Sequence, residues 1–289
     1  MDPETATEII GHLTGLGCRS VHIGGGEPFL DSDGLEKVLE AFRTGGMGLE
    51  YVETNSSWYR NREQAETTLR RLKKAGLSTI LVSVSPFHNE FIPLQKIEGV
   101  MSAAAQAGVA VFPWVDGFLS DLRAFDETAT HSLEEYKKRY GRDYVEKIPS
   151  RYWVTMRGRA LKTYAPYMKK ISLDNLLARS RGGCSELFDT THFHVDLFGN
   201  YVPGLCTGLS CFHRDVGTPL DKNQYPFLVT LMTEGIGGLY KAAAETYGFE
   251  AAPAYVSKCE LCYDIRRFLV AEKGVGSPDL QPVQYYMQE

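Results

Sequence analysis

The chain has 289 residues, of which 43% are hydrophobic and 23% are charged, and its formal net charge is −5 at pH 7. This composition is typical of a globular protein with enough chain to bury a core. The acidic balance argues against nucleic acid or an anionic membrane surface as a partner, and no apolar stretch has the length of a membrane span. The polar N-terminus differs from a secretory signal peptide, so we expect a cytoplasmic setting.

The first 115 residues alternate between helical and strand-like patterns. Apolar residues within 3–17 recur with helical spacing, and Arg19–Ile23 is the first predicted strand. The next predicted elements are a helix from Ser32 or Asp33 to Gly45, a strand Leu49–Asn55, a helix Arg62–Ala75, a strand Ser78–Ser85, a helix Ile97–Ala107 and a strand Val109–Val115. This alternation indicates βα units around a parallel sheet, with ligand-binding loops at the C-terminal ends of the strands.

The middle of the chain has weaker patterns. Leu133–Tyr144 is charged and predicted to be helical, and Tyr152–Val154 is predicted to be a strand. Residues 161–183 are rich in Lys and Arg, which indicates a linking segment with a solvated helical face. His192–Leu197 then alternates polar and apolar residues, and Phe198–Tyr201 turns it into a predicted hairpin.

A glycine-rich loop follows the first predicted strand, where Gly24, Gly25 and Gly26 precede Glu27 and Pro28. Glycines let a ligand approach the backbone closely, because no Cβ stands in the way. A loop that binds phosphate carries bare N–H groups and often a Lys, whereas a carboxylate would repel phosphate. Glu27 therefore favours a cationic group, such as the ammonium of a ligand. The alternative is a plain glycine turn at the end of a strand.

Five of the six cysteines lie in the last third of the sequence, and Cys259 and Cys262 form a Cys-x-x-Cys pair. In a chain without an export signal, this pattern favours metal or cluster ligation over disulfides. A Cys-x-x-Cys turn supplies two thiolates to one centre, and a second pair must complete it. Zinc and an iron–sulfur cluster fit such spacing equally well. Cys18 stands alone before an apolar strand and is expected to be a buried structural thiol.

Several strand ends resemble the radical S-adenosylmethionine (SAM) superfamily. Gly25-Gly26-Glu27-Pro28 matches the motif that holds the amino group of the methionine half of SAM in that family. Asn55 closes a Thr-Asn pair where many members have one near SAM. Ser83 matches the first residue of a Ser-x-Asp element, although Ser85 replaces its acid, which puts the role of that acid in doubt. His88 follows in a loop, where it either faces the pocket or is solvated.

The last third resembles the auxiliary-cluster domains, of the SPASM or shorter twitch type, that are appended to many radical SAM enzymes. Cys184, the predicted hairpin and Cys206 are similar to the opening of such a domain. The resemblance implies that Cys184 and Cys206 complete the ligand set with Cys259 and Cys262, with Cys211 in reserve. It implies one auxiliary [4Fe–4S] cluster, with zinc as the alternative. His192 and His194 project from one strand face, which we expect to be solvated rather than a metal-binding pair.

The resemblance implies an α/β fold with a partial (βα)6-type barrel over residues 1–160, whose first strand is missing. A linking segment over 161–183 and a small α+β cysteine domain over 184–289 would follow. It also implies an enzyme that reductively cleaves SAM to drive a radical modification of a peptide or small-molecule substrate, with an electron donor as a further partner. The residues expected to hold SAM are Gly25, Gly26, Glu27, Pro28, Asn55 and Ser83.

The catalytic cluster of that superfamily requires a Cys-x-x-x-Cys-x-x-Cys triplet, and no such triplet occurs in the 289 residues. We expect it in a segment upstream, and a catalytic [4Fe–4S] cluster only together with that segment. Without it the strand Arg19–Ile23 is expected at a sheet edge. The alternative hypothesis is a non-catalytic barrel remnant that acts as a binding protein, with a cysteine module stabilised by zinc or a cluster.

Overall fold

The computed structural model describes residues 3–204, 206 and 208–287, which form a mixed α/β protein. The chain divides into two compact units, Met1–Tyr152 and Trp153–Glu289. Within the described ranges, no helix combines the length and the apolar character that crossing a membrane requires.

A four-stranded parallel sheet organises the first unit. Its strands are β1 (Ser20–Ile23), β2 (Gly48–Thr54), β3 (Thr79–Ser83) and β4 (Ala110–Trp114), in the order β1-β2-β3-β4. β1 and β4 are the edge strands of this sheet. Because all four strands are parallel, their C-terminal ends meet at one edge, where the following loops lie side by side.

The helices of the first unit form a layer against this sheet. They are α1 (Pro3–Gly15), α2 (Ser32–Thr44), α3 (Arg62–Ala75), α4 (Pro86–Asn89), α5 (Leu94–Ala107), α6 (Gly117–Leu122), α7 (Leu133–Tyr140) and α8 (Tyr144–Arg151). The contacts of α1 with α2, α2 with α3 and α3 with α5 make the layer continuous. Val52, Ile80 and Val82 are fully buried, as expected for β-branched residues in a covered parallel sheet.

Several local predictions differ from the structure in detail. Asp31, rather than Ser32 or Asp33, caps α2, because its carboxylate accepts a hydrogen bond from the Gly34 N–H. The helix predicted over Leu133–Tyr144 ends earlier, because α7 stops at Tyr140 before Gly141, whose φ is 111°, and α8 begins only at Tyr144. Residues 152–154 do not form the predicted strand.

The second unit consists of short elements around its own hydrophobic core. Its helices are α9 (Gly158–Tyr164), α10 (Leu173–Arg179), α11 (Pro226–Thr233), α12 (Gly235–Tyr247), α13 (Lys258–Arg267) and α14 (Gln284–Met287). Its strands are β5 (Ile171–Ser172), β6 (His194–Val195), β7 (Asn200–Val202), β8 (Cys211–Phe212) and β9 (Ala254–Tyr255). β5 pairs with β9, and β6, β7 and β8 form an antiparallel sheet. The predicted hairpin is present as β6 and β7, although β6 is shorter than the predicted His192–Leu197.

Asp279 anchors the C-terminal segment of this unit to the start of α11. Its side chain is fully buried. One carboxylate oxygen accepts hydrogen bonds from the N–H groups of Phe227 and Leu228, at 2.7 and 2.8 Å. The other oxygen accepts from the Ser277 hydroxyl at 2.5 Å. A carboxylate at a helix N-terminus satisfies amides that have no partner within the helix and interacts favourably with the helix dipole.

We expect Asp279→Ala to destabilise the second unit by about 3 kcal/mol, because two buried N–H groups would lose a charged acceptor. The measurement is urea unfolding monitored by circular dichroism. Asp174→Ala is the matched control, because Asp174 is an exposed residue of α10, and it should change stability by less than about 1 kcal/mol. Equal effects of the two substitutions would contradict the anchoring role.

Candidate functional site

Four of the six cysteines line one cavity of about 520 Å³ in the second unit. They are Cys184, Cys206, Cys259 and Cys262, and all are free thiols. These are the four residues that the sequence analysis assigned to one metal centre, and the structure brings them to one place. Cys211 lies instead in the hydrophobic core and is 4% exposed. Cys18 belongs to the first unit and is half-buried rather than buried as expected.

The Cys-x-x-Cys pair lies on a helix rather than in a turn. Ser257 caps α13 by accepting a hydrogen bond from the Glu260 N–H, so the helix begins just before Cys259. Cys262 is one turn further along, and residues three apart share a helix face. Both thiols therefore face the cavity from the N-terminal half of α13.

Cys184 is held in place by close backbone packing. Its N–H donates a hydrogen bond of 2.8 Å to the carbonyl oxygen of Leu231. A Cβ at Gly183 would collide with the carbonyl oxygen of Met232, and a Cβ at Gly235 would collide with that of Gly182. Glycine at these positions thus lets two backbone segments approach closely. The sequence analysis missed this role, although Gly182-Gly183 directly precedes the cysteine.

The thiols share a buried environment in which they affect one another's ionisation. Burial raises the pKa of Cys206 to about 12, and Arg266 acts in the opposite direction. Burial likewise raises the pKa of Cys262. Negative charge on Cys184 or Cys259 raises the pKa of both thiols further. Because ionised thiols at such positions oppose one another's ionisation, they are all ionised at the same time only when a cation lies among them. A bound metal would supply that charge.

Arg266 is a buried cation on the wall of this cavity, with 3% of its surface exposed. Its Nε donates to the carbonyl oxygen of Cys262 at 3.2 Å, and its Nη1 donates to the Tyr286 hydroxyl at 2.8 Å. The guanidinium carbon lies 5.9 Å from the ring centre of Tyr263 and 5.5 Å from that of Tyr286. These rings hold it by cation–π contacts.

Arg157 is a second, largely buried cation on the cavity wall, with a side chain that is 16% exposed. Its Nη2 donates to a carboxylate oxygen of Glu186 at 2.6 Å. Its Nη1 is buried and has no hydrogen-bond partner among the residues that the structure describes. A buried donor without an acceptor is unfavourable and calls for a ligand, ion or water. The cavity therefore offers a donor to a bound acceptor.

The cavity is strongly basic although the whole chain is acidic. Among the described residues that line it, five are cationic and one, Glu186, is anionic. The cationic residues are Arg157, Arg179, Arg181, Lys258 and Arg266. Arg179 and Arg181 are exposed, so solvent screens their charges more than those of Arg157 and Arg266. The site thus combines soft sulfur donors with positive charge.

The glycine loop of the first unit follows β1 at the C-terminal edge of the sheet. Gly24, Gly25 and Gly26 are exposed, and Gly25 and Gly26 have φ values of 78° and 53°. This left-handed conformation explains why glycine is needed there. Pro28 begins a short 3-10 helix, Pro28–Asp31, which Glu27 caps through a hydrogen bond from the Phe29 N–H at 3.2 Å.

The Glu27 carboxylate ties this loop to the end of β2. It accepts from the Thr54 hydroxyl at 3.0 Å on both oxygens and from the Asn55 N–H at 2.6 Å. Trp58 supports this contact by donating from its indole nitrogen to the Thr54 hydroxyl oxygen at 2.9 Å. Burial raises the pKa of Glu27 despite these hydrogen bonds. The side chain predicted to meet a ligand thus already serves as a link between two strand ends.

Other residues singled out in the sequence lie along the same edge. Asn55 is half-buried and accepts from the Ser57 N–H at 2.8 Å, and Ser83 is the half-buried last residue of β3. Ser85 caps α4, and its hydroxyl lies 2.8 Å from Nδ1 of His88. His88 is partly buried rather than fully solvated. This burial lowers the pKa of its imidazole, which is therefore neutral near pH 7.

Two strained positions at this edge were not predicted. Ser56 follows β2 with a φ of 69°, and Val115 follows β4 with a φ of 63°. The conformation is unusual for any residue other than glycine and is an outlier for a β-branched one. The Ser56 hydroxyl is also buried without a hydrogen-bond partner. Strained residues of this kind cluster at ligand-binding sites, which adds weight to this edge as a site.

Two histidines of the second unit, His192 and His194, lie against each other. The ring centres of His192 and His194 are 4.8 Å apart in an edge-to-face arrangement, and His194 is exposed. Neither residue lines the cysteine cavity.

Comparison with known proteins adds no assignment. No model of a known protein family matches the chain, and no curated protein is significantly similar to it. The assignment of the cysteine cavity and of the glycine loop as candidate sites therefore depends only on their residues and geometry.

Proposed function

We propose that the second unit holds an auxiliary [4Fe–4S] cluster on Cys184, Cys206, Cys259 and Cys262. The observation that carries this proposal is the convergence of four thiols, from three separate parts of the chain, on one basic cavity. Three features fit a cluster: four soft sulfur donors, a buried and unpartnered donor on Arg157, and space between the ligands. When bound, such a group accepts and releases single electrons.

Zinc is the alternative occupant of the cysteine cavity. A structural zinc site is closed, with the four sulfurs in direct contact with a single ion. The cavity of about 520 Å³ has room for the larger group as well, so iron and acid-labile sulfide content distinguishes the two occupants.

In the first unit, the loop Gly24–Glu27 is proposed to bind the methionine half of SAM. Gly25 and Gly26 expose backbone to a ligand, and Pro28 sets the direction of the chain beyond them. Glu27 shapes the loop and retains acceptor capacity for an ammonium group, because its two oxygens offer about four acceptor positions. Asn55 and Ser83 stand at neighbouring strand ends, where parallel sheets bind ligands. The first unit would then be a partial barrel.

Together these sites support a radical SAM-type enzyme that acts on a peptide or a small molecule and takes electrons from a donor. The chemistry of the bond cleavage in SAM belongs to a second cluster on a Cys-x-x-x-Cys-x-x-Cys triplet, which these 289 residues do not contain. The second candidate function is a non-catalytic binding protein that retains the cysteine module.

The first test concerns the occupant of the cysteine cavity. After anaerobic reconstitution with iron and sulfide, we expect iron, acid-labile sulfide and broad visible absorption from thiolate-to-iron charge transfer. The double substitution Cys259→Ala/Cys262→Ala should abolish all three, because it removes half of the ligands. Cys18→Ala is the control and should leave them unchanged. Stoichiometric zinc without iron would contradict the cluster.

The second test concerns Glu27. We expect Glu27→Gln to weaken SAM binding, measured by calorimetry, by about tenfold, or about 1.4 kcal/mol, because an amide cannot replace a carboxylate that accepts three donors. Since burial raises the pKa of Glu27 above 4.5, the ionised form is lost at a higher pH than in an exposed glutamate. Affinity of the unaltered protein should therefore fall as the pH falls through that raised pKa.

The matched control for Glu27→Gln is Glu40→Gln, because Glu40 is an exposed residue of α2. It should leave the affinity for SAM and its pH dependence unchanged. Unaltered binding by Glu27→Gln, with the fold retained, would rule out this loop as the SAM site.

The third test distinguishes the two candidate functions. We expect the 289-residue chain with dithionite to bind SAM without forming 5′-deoxyadenosine, because it lacks the triplet. Supplying a Cys-x-x-x-Cys-x-x-Cys segment in front of residue 1 should enable that product to form if the chain belongs to the enzyme class. Product from the unaltered chain would show that other ligands hold the catalytic cluster. Failure of both proteins would favour the binding protein.

A further inference from the structure

The cysteine cavity contains two cations whose positions differ from those of ordinary surface arginines. Arg266 is 3% exposed and Arg157 has a side chain that is 16% exposed, yet both line the cavity with the four thiols. Guanidinium groups stay charged under all ordinary conditions. Burying such charges is unfavourable unless they interact with negative charge or strong acceptors.

Hydrogen bonds hold both arginines at the cavity wall. Arg266 donates to a backbone carbonyl of Cys262 and to the Tyr286 hydroxyl, which are both neutral acceptors. Arg157 shares its charge with Glu186, whose side chain is 37% exposed, but its Nη1 remains a buried donor without a partner. Both guanidinium groups line the cavity together with the four thiols.

The effect of these charges on electron uptake follows from electrostatics. An oxidised [4Fe–4S] core with four thiolate ligands carries two negative charges, and uptake of one electron makes that three without breaking a bond. A cation within a low-dielectric interior stabilises the added charge, whereas a solvent-exposed cation at a similar distance is screened. Net charge and hydrogen bonds to sulfur are among the factors that set cluster potentials.

We propose that Arg157 and Arg266 are positioning residues that raise the reduction potential of the cluster held by the four cysteines. Arg157 contributes a hydrogen-bond donor as well as charge, and Arg266 contributes charge held in place by two tyrosine rings. The inference rests on the proposed cluster. The electron comes from a one-electron reductant, such as the sulfur dioxide radical anion of dithionite, which is oxidised as the cluster is reduced.

The test is a reductive titration of the reconstituted protein under anaerobic conditions, followed by visible absorption and electron paramagnetic resonance. In Arg157→Gln, we expect the equilibrium constant for one-electron reduction to fall about tenfold, which is a potential lower by about 59 mV. Arg266→Gln should have an effect of the same direction and at least that size. Arg266→Lys keeps the charge and should restore most of the potential.

Arg179→Gln is the matched control, because it removes one charge from the same cavity at an exposed position. It should change the equilibrium constant by less than about twofold, and the change should vanish at high salt. The shift in Arg157→Gln should persist at high salt. Arg266 is buried, so Arg266→Gln is the variant at risk of not folding. In that case the result for Arg157→Gln alone decides the test.

Iron and sulfide content separate the possible failures. If the unaltered protein binds no cluster, the proposed function is wrong. If Arg157→Gln contains the same amount of cluster as the unaltered protein and is reduced at the same potential, the proposed cluster is supported, but the role of the arginines is overturned. If the reduction potential shifts as much in Arg179→Gln as in Arg157→Gln, the inference is overturned as well, because burial of the arginine would then make no difference.

Discussion

The convergence of four thiols on one basic cavity is the constraint on which the second unit depends. Burial keeps Cys206 and Cys262 protonated in the free chain, and each ionised thiol opposes the ionisation of its neighbours. Such a set becomes stable as thiolates only when positive charge enters among them. The unit supplies part of that charge from Arg157 and Arg266 and provides space for the rest. Binding of the proposed metal group would therefore stabilise this unit.

The surrounding fold holds the four cysteines by separate local means. The N-terminal half of α13 carries two of the thiols, and a serine cap fixes where that helix begins. Cys184 is placed by a backbone hydrogen bond and by glycines that leave no room for a side chain. Asp279 binds the start of α11, which carries Leu231, the acceptor for Cys184. A change in any of these contacts would move a ligand without altering a cysteine.

In the first unit, Glu27 has a structural role that the motif does not reveal. The motif predicts a carboxylate that meets a cationic ligand, and the structure shows a carboxylate that accepts from Thr54, Asn55 and Phe29. The two roles are compatible, because these bonds fix the loop whose glycines face solvent. A ligand at this edge would therefore meet a preorganised loop, and less conformational entropy would be lost on binding.

The local elements could be predicted from the residues alone, because helix and strand periodicity, helix caps and glycine stops depend on neighbouring residues. It identified α3 with the bounds that the structure has, the four parallel strands, and the four cysteines that line the cavity. The strand predicted at residues 152–154 failed, because an apolar run that short has no period to measure. Only the tertiary structure decided which charges are buried. Arg266 and Arg267 are adjacent in the sequence, yet the first is 3% exposed in the cysteine cavity and the second is exposed. Burial of a charge depends on partners far away along the chain, such as Tyr286 for Arg266, and no local pattern encodes those contacts.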